Sequence, residues 1–212
     1  MKRTPIIRRA ALVAWAGLLT VAAGGPSAVA APHKTTSAET AAVPPRPGQL
    51  RTLAGLSADR LATGDPVAAA KWGTGSPIDD PVREQQVLDA VAEQAREDGA
   101  DPAATVRVFR DQIEANKDVQ RGLFRRWKAR PAEAPTHRPD LNEVRKKINR
   151  INDALVRSLA TSGPARAQHQ CRGAATAAAA QVRHERRLDH LHAVALTRSL
   201  RSVCGGEAGT PR

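Results

Sequence analysis

Apolar residues recur along most of this chain at intervals of three and four, the spacing that gives a helix one continuous buried stripe. Asp80, Pro81 and Gly99 frame one helix as cap, first residue and stop. Asp101 and Pro102 open the next in the same way, and its pattern continues to about Lys128. Asp140 caps a helix through about Ala160. Upstream, Leu50 to Trp72 is expected to form a first helix, with Gly64, Asp65 and Pro66 as the place where it could kink. Downstream of Gly163 and Pro164, "ATAAAAQVRH" and "LDHLHAVALTRSLRSV" fit two shorter helices. Strand signals are nearly absent: tyrosine is missing, and no alternating segment is bounded by hairpin turns. The expected fold is all-α, about six helices, with no internal repeat.

Several of these apolar stripes carry polar residues. On the helix from Pro102 the stripe reads Val106, Phe109, Ile113, then Asn116 and Gln120, then Phe124 and Trp127. On the first helix Leu53 and Leu56 are followed by Arg60. Lys71 lies about three turns further on and points the same way. Arg145 falls between Leu141 and Ile148 on the face continued by Ile151, Leu155 and Leu159. Asp80, Arg83 and Glu84 share a face through local capping and i, i+3 and i+4 spacing. One long cation on such a stripe is explained by its stem lying on apolar surface with the charge in water. Cations on several helices without carboxylates on the matching faces instead call for a shared anionic partner. A small dianion enclosed by the helices meets that requirement.

The two ends change the picture next. Basic Lys2, Arg3, Arg8 and Arg9, an apolar run from Ala10 to Ala23 and the small residues "AVAA" form the three parts of a secretory signal, with cleavage expected near Ala30 or Ala31. The apolar run is too short for a stable membrane span, so a secreted or periplasmic protein with no membrane attachment after cleavage is expected. Loss of the four leader cations takes the formal charge from +12 to about +8. Residues 31–49, rich in Pro, Thr and Ala, read as a flexible lead-in. In an exported chain Cys171 and Cys204 are expected to form one disulfide. His169, His184, His190 and His192 offer a rival metal site, but neither CxxC nor HExxH occurs, and no metal is expected.

Arg60, "DPVAAAKW" with Lys71, "SPIDDPVREQQVL", "FRDQIEANKDVQ" and the later Arg145 together resemble the all-helical, type II chorismate mutases, specifically their exported, disulfide-bearing gamma subclass. The likeness covers about residues 50 to 205 and is looser beyond Arg145. It implies a cofactor-free rearrangement of chorismate to prephenate. It further implies that Arg60 and Arg145 clamp two carboxylates, and that Lys71 and Gln120 meet the ether oxygen. Glu84, with the backbone near Asp80, would bind the ring hydroxyl, and Arg83 and Asn116 would complete the shell. Residues 50–130 would then be the catalytic part, 131–206 a C-terminal part contributing Arg145, and 207–212 a disordered tail. Each active site would be complete within one chain, which leaves a homodimer open. Exported relatives often carry Glu where this chain has Gln120.

The competing expectation is a non-enzymatic helical protein that binds anionic polymers through "RRWKARP" and "VRHERRLDH". Aromatic residues are only 2% of the chain, and no stacking platform for nucleic acid is apparent, which weighs against it.

Overall fold

The structure, a computed structural model, describes residues 48–205. Among these there are eight α-helices and no strand. The helices are α1 (Gln49–Leu61), α2 (Gly64–Lys71), α3 (Pro81–Glu97), α4 (Pro102–Ala129), α5 (Leu141–Thr161), the single turn α6 (Gly163–Arg166), α7 (Cys171–Glu185) and α8 (His190–Ser199). The expected leader, its cleavage site, the lead-in and the tail lie outside the described residues, apart from Gly48 and Gln49 at the end of the lead-in.

The caps follow the sequence signals. Asp80 accepts from the Arg83 amide at 3.0 Å, Asp101 from the Ala103 amide at 2.8 Å, and Asp140 from the Asn142 amide at 2.8 Å. Gly99, at φ 73°, ends α3 as the amide of Ala100 reaches back to the carbonyl of Ala95. The expected first helix is two helices rather than one. Pro66 has no amide proton to offer the carbonyl of Ala62, and the Thr63 hydroxyl turns back to the Arg60 carbonyl at 2.6 Å, so the chain restarts at Gly64.

The long helix α4 runs through the middle, packed against α1, α2, α3 and α8. Val108, Phe109, Ala115, Val119 and Leu123 of α4 are buried with Leu53 and Leu61 of α1, Leu155 and Leu159 of α5, and Leu196 of α8 in one core. Close approach of α2 to α4 depends on Gly64, where a Cβ would sit 3.0 Å from a methyl of the fully buried Val119. The far end of α2 is fixed by aromatic packing: Trp72 lies edge-on to Phe124 and Trp127, with centroids 5.1 and 5.3 Å away. This is what the lysine–tryptophan pair at the end of "DPVAAAKW" accomplishes. The tryptophan anchors the helix end on α4, and Lys71 is thereby set at a defined place.

Cys171 and Cys204 are joined, Cα atoms 5.7 Å apart, which links the start of α7 to the residues beyond α8. Both sulfurs are therefore committed to each other and not to a metal. In the loop-entropy model a closure of this length contributes about 3–4 kcal/mol.

A second tie runs from α2 to α8. His192 places Nε2 3.0 Å from Asp65 and Nδ1 2.8 Å from Asp189, the α8 cap, whose other neighbour is Arg126 of α4 at 3.6 Å. The hydrogen bond to Asp65, aided by Asp189 against the opposing effect of burial, raises the His192 pKa from 6.5 to about 9. Because the folded value lies above the unfolded one, this stabilisation is complete below about pH 6.5 and lost as pH rises through about 9. Partial exposure limits it to roughly 1–2 kcal/mol. The melting temperature is expected to fall by a few degrees between pH 6.5 and 9.5, and H192Q should flatten that decline. A parent protein with a level profile over this range would show that the tie carries no net stability.

Candidate functional site

The eight polar residues singled out on the helices, Arg60, Lys71, Asp80, Arg83, Glu84, Asn116, Gln120 and Arg145, all line one cavity of about 150 Å³ between α1, α2, α3, α4 and α5. Its apolar lining comes from Val67, Ile78, Val87, Ile113, Leu141 and Ile148. The helix packing alone accounts for this convergence. Arg60 sits at the end of α1, Lys71 at the end of α2 and Glu84 in the first turn of α3, while Asn116 and Gln120 are one turn apart on α4.

Arg60 is the deepest of the cations, 5% exposed. Its Nε donates to Oδ1 of Asn152 at 2.9 Å, one terminal nitrogen donates to the Gln112 carbonyl at 2.9 Å, and its guanidinium lies 5.9 Å from the Phe109 ring centre. These partners are neutral, and no described carboxylate pairs with it. Burial lowers its pKa from 12.5 to about 10.

Lys71 donates from Nζ to the carbonyls of Pro77 and Ile78, at 2.8 and 3.2 Å, again with no described carboxylate in contact. Its pKa is lowered, by burial first and also by Arg145, against the weaker opposing pull of Asp80, Asp79 and Glu84. Arg145 lies at the rim and is exposed, and among the described residues its side chain makes one long contact, 3.5 Å to Asn142. The expectation that it interrupts a buried face of its helix is thus corrected. The buried stripe of α5 passes through Val144, Asn152, Leu155, Val156 and Leu159, and Arg145 is one step around from it at the cavity mouth. Arg83 is half-buried and reaches Gln86 at 3.3 Å.

The amides form a chain with a defined direction. Asn116 donates from Nδ2 to the Arg60 carbonyl at 3.1 Å, which leaves its Oδ1 to accept from Nε2 of Gln120 at 2.9 Å. The Gln120 amide nitrogen has a second proton for the cavity, and the buried Oε1 of Gln120 has no partner among the described residues. Asp80, besides its cap, donates its own amide to Oε1 of Glu84 at 3.3 Å.

Four contributors were not apparent from the sequence. Gln112 is fully buried one turn before Asn116, on the same polar stripe, and the four-residue repeat was the available signal. Asn152 and Thr63 support Arg60 and Asn116 from neighbouring elements, which only the tertiary packing reveals. Lys117 is 9% exposed and contacts Asp79, Glu84 and Glu114. Burial pulls its pKa down, but hydrogen bonds to these three carboxylates outweigh that and raise it. No feature of the sequence sets it apart from a surface lysine.

The cavity therefore contains two kinds of cation. Lys117 is neutralised by acids of the protein, whereas Arg60, Lys71 and Arg145 make no ion pair among the described residues and face a common space. That arrangement is suited to a compact anion with more than one negative group and presents amide donors beside it. The basic runs are partly neutralised: Arg126 lies 3.6 Å from Asp189, Arg130 2.6 Å from Glu133 and Arg186 2.5 Å from Asp59.

A family model described as chorismate mutase type II matches residues 51–121. The secreted chorismate mutase of Mycolicibacterium smegmatis is 37% identical over 187 residues, covering 88% of this chain and 99% of that protein. The secreted chorismate mutase of Mycobacterium tuberculosis is 35% identical over 156 residues, covering 74% of this chain and 78% of that one. Among solved structures, chorismate mutase from Burkholderia phymatum superposes with a TM-score of 0.70 at 35% identity, covering 75% of this chain and 99% of its own. The enzyme from Burkholderia thailandensis gives 0.71 at 34%, covering 74% and 99%.

Proposed function

Because the chain belongs to the type II chorismate mutases, we propose that it converts chorismate to prephenate, with the cavity between α1 and α5 as its active site. In this rearrangement the ether C–O bond breaks as a C–C bond forms within one molecule, and the ether oxygen gathers negative charge on the way. No nucleophile, proton transfer or redox step is required. The protein has to hold the chain-like part of the substrate over the ring and place positive charge at that oxygen. Only contacts that strengthen toward the transition state accelerate the step.

Arg60 and Arg145 take the two carboxylates, Arg60 from the floor and Arg145 from the rim, using the planar fork that suits a carboxylate. Lys71 meets the ether oxygen and a carboxylate. Gln120 donates its second amide proton to the same oxygen. Glu84, beside the Asp80 amide, accepts from the ring hydroxyl, while Arg83 and Asn116 complete the shell. The main support is a charge imbalance: among the described residues Arg60 is buried with neutral partners and Lys71 contacts carbonyls and no carboxylate, which a dianionic substrate would balance. Residues 50–130 act as the catalytic part and 131–206 as the part that brings Arg145. Since one chain supplies all eight residues, a homodimer would leave each site complete.

The protein acts outside the cytoplasm after cleavage near Ala30 or Ala31. Both curated relatives are named secreted, and no helix among the described residues is long and apolar enough to cross a membrane.

The loss of chorismate absorbance on adding pure protein tests the activity. K71A should lower kcat by at least about a hundredfold, equivalent to about 3 kcal/mol of transition-state stabilisation. Unchanged turnover would remove Lys71 from the assignment. The direction of the amide chain predicts a second outcome. A carboxylate at position 120 would confront Oδ1 of Asn116 and could donate to the ether oxygen only when protonated. The parent enzyme should keep nearly level activity from about pH 5 to 8, and Q120E should lose activity as pH rises across that range. A steep decline in the parent would reject the role given to Gln120.

A further inference from the structure

Lys117 is a cation on the wall of the site that the proposed chemistry does not use. Its Nζ lies 3.1 Å from each oxygen of Glu84, so the ammonium straddles that carboxylate. It also contacts Asp79 at 3.2 Å and Glu114 of its own helix. Asp79 is further held by Arg121 at 2.6 Å, and Glu114 by Arg198 of α8 at 3.5 Å. Three carboxylates around one ammonium leave Lys117 no capacity for an anionic substrate, in contrast to Arg60 and Lys71.

What this arrangement does act on is Glu84. That side chain comes from α3, one turn past a capping loop, and a free glutamate there has several rotamers. Lys117 takes one acceptor position on each Glu84 oxygen, and the Asp80 amide takes another at 3.3 Å. The remaining lone pairs are restricted in direction, and the glutamate is held at the cavity wall in a single pose. Because Lys117 projects from α4 beside Asn116, the same helix that carries the amide donors also sets the carboxylate on the opposite wall.

We propose that Lys117 is a positioning residue, which orients the Glu84 carboxylate toward the substrate hydroxyl and balances its charge. This rests on the role given to Glu84 above. Glu84 would bind the hydroxyl in both the ground state and the transition state, so loss of its orientation reads mainly in KM.

The test compares K117M, E84Q, the double variant and K117R in the full mature chain, following chorismate loss at pH 7 together with the melting temperature. K117M and E84Q are each expected to raise KM about tenfold with much smaller changes in kcat, in line with loss of a hydrogen bond to a charged group. The double variant should have the KM of E84Q, since the lysine acts only through the glutamate. K117R should restore most of the affinity. A raised KM in E84Q with an unchanged KM in K117M overturns the proposal alone, as does a fully additive double variant. An unchanged KM in E84Q overturns the role of Glu84 and this proposal with it. K117M leaves three carboxylates facing one another; should it fail to fold, K117M/E114Q keeps the local charge balance and is read in the same way.

Discussion

A guanidinium buried among neutral groups is the constraint from which the site follows. Removing Arg60 from water costs several kcal/mol that two hydrogen bonds and an aromatic face recover only in part. Among the described residues no carboxylate completes the pairing, and burial lowers the Arg60 pKa to about 10. On the proposed reading the deficit is deferred to the substrate, whose binding would supply the counterion. Lys71, held by two carbonyls and with its pKa lowered chiefly by burial, would on the same reading extend the deficit toward the place where charge develops during the reaction.

Holding unpaired cations close together requires rigid supports, and these are visible in the packing. The end of α2 is fixed by Trp72 against Phe124 and Trp127, its start by the close approach at Gly64 and by the His192 tie to α8. On α4, Gln112, Asn116, Lys117 and Gln120 replace apolar residues along the face turned to α1, α2 and α3. Each has a partner that sets its direction: Ser57 for Gln112, the Arg60 carbonyl for Asn116, Asn116 for Gln120 and Glu84 for Lys117. The polar stripe lowers the apolar content of the central helix and in exchange orients one wall of the cavity.

Much of this was legible in the chain. Proline and aspartate mark the starts of α3 and α4, cations or amides on apolar stripes mark Arg60, Lys71, Asn116 and Gln120, and the capping face of α3 marks Asp80, Arg83 and Glu84. Arg145 was legible as a member of the set but not in its exposure, because a stripe drawn at three- and four-residue steps does not separate its centre from its edge. The break between α1 and α2 was legible only as a kink, since propensity near Gly64 and Pro66 does not say whether a helix bends or restarts. Lys117 could not be read at all. A lysine among acids is ordinary on a surface, and only the packing of α3 on α4 buries it over Glu84.

The central claim is that the cavity is completed by two negative charges on one small molecule. Calorimetric binding of prephenate compared with its monomethyl ester isolates that claim from the rate of the reaction. The dianion is predicted to bind at least about tenfold more tightly, with the advantage shrinking as salt is raised from low to high concentration. Equal affinity for the dianion and the ester would contradict the account, since Arg60, Lys71 and Arg145 would then not be waiting for a second carboxylate.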